Sequence, residues 1–130
     1  MAARMIAVNA TRGVVLASQV RVADTIVTRL VGLLRDKELA EGAGLWIKPC
    51  NSIHSIGMKF LFDAVFLDRE HRVVHLVAEM KPWRASPMIW AARSVLELPA
   101  GVIAASGTQA GDQLEFSAAG QPSTSGRRDM

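Results

Sequence analysis

The segment Phe60-Leu61-Phe62-Asp63-Ala64-Val65-Phe66-Leu67 constrains this chain more than any other: seven of its eight residues are apolar and the eighth is a carboxylate. An apolar run of this length, without the polar alternation of a half-exposed strand, predicts a strand covered on both faces. The fold must then supply packing above and below it. Burying an ionised carboxylate costs several kcal/mol unless donors or a cation meet it. Asp63 therefore has two readings: a structural acceptor of backbone N–H groups or partner of an arginine, or a carboxylate that orients a site histidine, with His54 the nearest candidate upstream.

The segments around this run carry turn and strand signals. Met5 to Val8 and Val14 to Val22 are rich in β-branched residues and flank Asn9-Ala10-Thr11-Arg12-Gly13, which predicts an opening hairpin. Asp24 or Thr25 is a candidate N-cap, and Ile26, Val27, Leu30, Val31, Leu33 and Leu34 fall on one helical face, so a short helix is expected over Thr25 to Leu34. Leu45-Trp46-Ile47 predicts a buried strand ended by Pro49. Asp68-Arg69-Glu70-His71 is a polar hairpin loop into the strand Arg72 to Val77. Glu79 to Ala92, with two prolines and two tryptophans, has no clean period and is expected to be an irregular loop packed down by its tryptophans. Ser94 to Leu98 and Gln113 to Phe116 are further strands, with turns at Pro99-Ala100-Gly101 and Gly111-Asp112.

Ser117 to Met130 holds no aromatic residue and nothing aliphatic larger than alanine before Met130, so it cannot repay its ordering entropy and is expected to be a disordered tail. Residues 1–116 then form a single globular domain. Short strands, Gly/Pro turns and one short helix after the first hairpin predict a mainly β fold, α+β only in a minor sense, as a compact β-sandwich or barrel-like domain.

Composition excludes more than it assigns. Half of the 130 residues are hydrophobic and 21% are charged, far from the signature of a disordered chain. The isoelectric point of 9.6 overstates the basicity, because the formal net charge is only +3. No block of five cations exists, which argues against nucleic acid as a partner. No apolar run approaches the roughly 20 residues of a membrane span. The short apolar stretch after Arg4 is too brief for a secretory signal, so a cytoplasmic location is expected. The lone Cys50 cannot form an internal disulfide.

Residues able to carry chemistry are few. His54 sits among alternating small polar and apolar residues; it is either a hydrogen-bonded structural residue or the base of a site. A Cys50/His54 nucleophile pair lacks any signature context, and a thiol in such a setting commonly serves as a small buried hydrophobe. His71 and His75 lie four residues apart on a strand, roughly 13 Å, too far to share one ion, so no metal is expected. Trp83-Arg84 and Trp90 with Arg93 form either a loop anchor or an aromatic and cationic rim for a ligand. Gly42-Ala43-Gly44 lacks the remaining features of a phosphate loop, and Gly101 and Gly111 suit turns of positive φ. No cofactor is implied.

Six motifs, in order, resemble one family: Arg29-Leu30-Val31-Gly32-Leu33-Leu34-Arg35, Gly44-Leu45-Trp46-Ile47, Asn51-Ser52-Ile53-His54-Ser55-Ile56-Gly57-Met58, Asp63-Ala64-Val65-Phe66-Leu67-Asp68, Val95-Leu96-Glu97-Leu98-Pro99-Ala100-Gly101 and Gly111-Asp112. They resemble the bacterial and archaeal domain of unknown function 192, over about Ile6 to Phe116. The resemblance implies a compact sandwich-type β fold with a helix after the first hairpin, and it carries no catalytic residue across. The positions it picks out are His54, Met58, Asp63, Glu97, Gly101, Gly111 and Asp112. Two features depart from the family's pattern: the export signal of many members is not seen, and Leu61 stands where proline is frequent.

The expectation is a non-catalytic binding or accessory module for a small ligand or a protein, with a patch of His54, Met58, Asp63, Trp83, Arg84, Trp90 and Glu97. The alternatives are a hydrolase-like enzyme using His54 with Asp63, and a structural domain that dimerises through a sheet edge.

Overall fold

Gly13, at a positive φ of 68°, lets the chain reverse after Asn9, and its N–H donates to the Asn9 carbonyl at 2.8 Å. In the computed structural model this turn joins β1 (Met5–Asn9) to β2 (Val14–Ala23), the expected opening hairpin. The structure describes residues 4–24, 39–53, 55 and 60–118. The helix expected over Thr25 to Leu34 lies outside them. So does residue 119 onward of the expected tail, whereas Ser117 and Ala118 extend the last strand and pair with Ile6 and Met5.

The remaining strands are β3 (Ala43–Ile47), β4 (Phe62–Leu67), β5 (Val73–Met80), β6 (Ser94–Pro99) and β7 (Leu114–Ala118). They form one seven-stranded sheet in the order β5-β4-β6-β3-β2-β1-β7, curled into a half-barrel. About half of the described residues are in strands, so the fold is mainly β and barrel-like. Only β2 and β3 run parallel. The chain also forms α1 (Val102–Ser106), which the sequence reading missed: five residues show no helical period. Gly101 and Gly107 bound it, both in the left-handed region. Among the described residues no helix is long and apolar enough to cross a membrane.

Every residue of β4 is buried, as its apolar run requires. Alternation sends its side chains to two cores. Val65 and Leu67 join Leu96 and Leu98 of β6, Trp46 of β3, Ala17 and Val20 of β2 and Ile103 of α1 inside the curl. Phe62, Ala64 and Phe66 join Val95, Met80, Ile53 and Ala92 on the outer face. Gly44 allows close packing in the inner core, where a methyl group would lie 3.3 Å from both Ala17 and Val20.

The two edge strands meet at one end. Arg72 bridges Gln113, Val73 N–H donates to the Asp112 carbonyl (2.8 Å), and Leu114 N–H donates to the His71 carbonyl (3.0 Å). Behind this seam Trp46 and Phe116 stack in parallel with centroids 3.7 Å apart, and His71 presents its ring edge-on to both. The Trp46 indole N–H is satisfied by Ser94 Oγ at 2.9 Å. Burial, with the charge of Lys48, holds the His71 imidazole below its ordinary pKa despite the opposing carboxylate of Asp68.

Candidate functional site

Asp63 points into the inner core and is fully enclosed. Its Oδ1 accepts Glu79 N–H and its Oδ2 accepts Ile103 N–H, each at 2.8 Å. Glu79 is a non-glycine residue at φ 53°, at the point where β5 carries an extra residue opposite β4. Ile103 lies in the first turn of α1, whose N-cap Gly101 offers no side-chain acceptor. One carboxylate thus holds a strand bulge and stands in for a helix cap. Both partners among the described residues are backbone groups, as the structural reading of Asp63 expects; His54, its partner in the other reading, lies outside the described residues.

Glu97, 5% exposed, belongs to the opposite face. It faces Leu45 and Ala64 across the ladder and shares the outer side with Val95. Asp63 and Glu97 therefore do not share a site, although sequence placed them in one patch. His54 and Met58 lie outside the described residues. Trp83, Arg84 and Trp90 belong to the layer that covers the outer core, which the same layer enters through Ile53, Ala92 and Ile89.

That layer is more ordered than an irregular loop. Residues 50–53 and 55 run alongside 83–93: Ser55 N–H donates to Arg84 O (2.7 Å), Ser86 N–H to Ile53 O (2.8 Å), Ile89 N–H to Asn51 O (2.8 Å) and Cys50 N–H to Arg93 O (2.9 Å). Ser55 closes one end of this ribbon and is fully buried. Its hydroxyl donates to Lys81 O at 2.6 Å and accepts Arg84 N–H at 2.8 Å, while its carbonyl accepts Trp83 N–H at 3.1 Å. The clamp closes the turn with Trp83 in the left-handed region, φ 61°, a conformation that is an outlier for a bulky residue.

The expectation that the tryptophans pack the loop down is overturned. Trp83 is 65% and Trp90 80% exposed. The loop is instead held by Ser55, Ile53, Ser86 and Ala92, and by the Arg93 guanidinium on the Trp90 carbonyl (3.1 Å). Replacing Ser55 with alanine is expected to cost about 2 kcal/mol, because one buried bond is lost and the Arg84 N–H is orphaned. Urea unfolding measures it, and faster amide exchange at Trp83 and Arg84 than elsewhere would locate the damage.

The other candidates fall apart spatially. His71 belongs to the seam, and His75 packs edge-on against Phe66 of the outer core. The Cys50 thiol donates to Ser52 O at 3.0 Å. Local pattern gave Asn9 and Asp112 only turn roles, and the family resemblance picked out Asp112 without a role; both are buried and joined. Asp112 accepts Asn9 Nδ2 (2.9 Å), Arg12 Nε (2.6 Å) and Gln109 N–H (3.0 Å). Burial pushes its pKa up, but the bonds from Arg12, Asn9 and Gln109 and the charge of Arg12 outweigh that and hold the carboxyl below its ordinary value.

Comparison with known proteins places this arrangement. The chain is similar to UPF0127 protein PF1050 of Pyrococcus furiosus, 31% identical over 113 residues that cover 83% of this chain and 95% of that protein. It is 32% identical over 114 residues to UPF0127 protein PH1112 of Pyrococcus horikoshii, covering 84% and 96%. Its fold is like that of a protein of unknown function from Novosphingobium aromaticivorans, with TM-score 0.72, 23% identity and coverage of 86% and 83%. It is also like that of a putative transcription regulator from Sinorhizobium meliloti, with TM-score 0.70, 21% identity and coverage of 88% and 92%. Residues 7–116 match the family DUF192, described as uncharacterized ACR, and the chain belongs to that family.

Proposed function

We propose that the protein is a non-catalytic binding or accessory module that docks its partner through the face bearing Trp83, Arg84 and Trp90. The observation that carries this reading is the Ser55 clamp, which maintains Trp83 in a strained backbone conformation and in solvent. Strain of this kind costs about 1–3 kcal/mol and persists where the surroundings over-determine it, commonly at binding surfaces. Tryptophan and arginine are also the side chains that dominate binding energetics when a partner covers them. A rigid anchor loses little entropy on docking.

A photo-crosslinking residue at position 83, with the exposed Val15 of β2 as the control position, tests the reading in cells. Adducts at 83 that are absent at 15 are expected. Equal labelling at the two positions, or a turnover abolished in a folded His54→Ala variant, would overturn it.

A further inference from the structure

We infer that this face docks on the surface of an anionic lipid bilayer; the inference rests on the binding reading above and names its partner. Among the described residues five large hydrophobic side chains are exposed, and four of them, Leu61 (42%), Trp83 (65%), Met88 (53%) and Trp90 (80%), flank or belong to the ribbon layer. Trp83 and Trp90 stand in turns and Leu61 and Met88 in irregular segments, and tryptophan favours a headgroup region because its ring is apolar and its N–H polar.

Charge points the same way. Residues 81–93 contain Lys81, Arg84 and Arg93 and no acid, so the rest of the chain, with twelve cations and twelve acids, has no net charge. This segment carries a net +3 beside the exposed tryptophans. Long basic side chains next to apolar ones can follow them toward a bilayer while keeping their charges at the phosphates.

Part of the backbone is tied into the fold: the N–H groups of Trp83, Arg84, Ser86, Ile89, Ala92 and Arg93 have partners within the protein, and Pro82 and Pro87 have none to satisfy. A protein partner would accept the same anchors, but the absence of any acid from this segment favours a phosphate-rich surface.

The test uses the full chain and sedimented vesicles of phosphatidylcholine, with or without about one-third phosphatidylglycerol. The wild-type chain is expected on the anionic vesicles, with blue-shifted emission quenched by brominated acyl chains, and in the supernatant with neutral ones. The Trp83→Ser/Trp90→Ser variant is expected to lose at least about tenfold in partitioning. Lys81→Gln/Arg84→Gln is expected to lose roughly twenty-five-fold on anionic vesicles, since one cation near such a surface contributes about fivefold. Wild-type protein remaining in the supernatant with anionic vesicles, or a double tryptophan variant that partitions unchanged, overturns the inference. If vesicles fail while the crosslinker at position 83 captures a protein, the lipid is wrong and the binding reading stands; if both fail, both fall.

Discussion

An Asp63→Ala variant is expected to lose about 3–5 kcal/mol of unfolding free energy, a large share of what a domain of this size possesses. The two N–H groups it satisfies, on Glu79 and Ile103, would be left without an acceptor, and each bond to a charged group is worth about 1.5–3 kcal/mol. Water could replace the carboxylate only by entering an enclosed site between β4, β5 and α1. Asp63→Asn separates charge from geometry. Its oxygen keeps one donor, but its NH2 group confronts the other, so roughly half the loss is expected. Equilibrium urea unfolding with an unchanged slope would register both values. An alanine variant within about 1 kcal/mol of wild type would mean that the two N–H groups find other acceptors.

Asp112→Ala is the second large effect, expected at about 2–3 kcal/mol. The carboxylate collects bonds from Asn9, Arg12 and Gln109, and its removal leaves the buried Asn9 Nδ2 group with Thr108 Oγ1 alone, at 3.0 Å. The value is set below that for Asp63 because Arg12 is one-third exposed and water screens its charge. The same group makes stability depend on pH. Its folded pKa lies below the unfolded one, so its contribution is complete above the ordinary aspartate value, near 3.9, and is lost as pH falls through the folded value. His71 has the same sign: it is kept neutral in the fold, so stability falls as pH drops below about 6.5 toward its lowered value. Thermal unfolding from neutrality to about pH 3 is expected to show two descents. Asp112→Ala should lose the lower one and His71→Phe the upper.

Particular residues explain how much of this was legible in the sequence. The run Phe62 to Leu67 announced a doubly covered strand because, Asp63 apart, no polar residue alternates with the apolar ones to make a solvent face. The first hairpin was legible through Gly13, and Gly101 and Gly111 through their positive φ. Strand order was not, because pairing β1 with β7 joins opposite ends of the chain and leaves no local trace. Asp63 and Glu97 were grouped into one patch, although the alternation of β4 and β6 sends them to opposite faces. The ribbon layer was hidden for another reason. Local composition suggested buried tryptophans, whereas tertiary hydrogen bonds centred on Ser55, far away in sequence, decided the outcome.

The pairing of β1 with β7 also has a consequence during synthesis. β1 must wait until Leu114 to Ala118 have emerged from the ribosome before it gains its second neighbour. Until then Met5 to Asn9 form a bare edge, held only by the hairpin to β2, and the inner core lacks Leu114 and Phe116 as its final wall. A nascent chain stalled before Leu114 therefore cannot complete the barrel wall, and its folding is deferred until translation has passed the whole sheet.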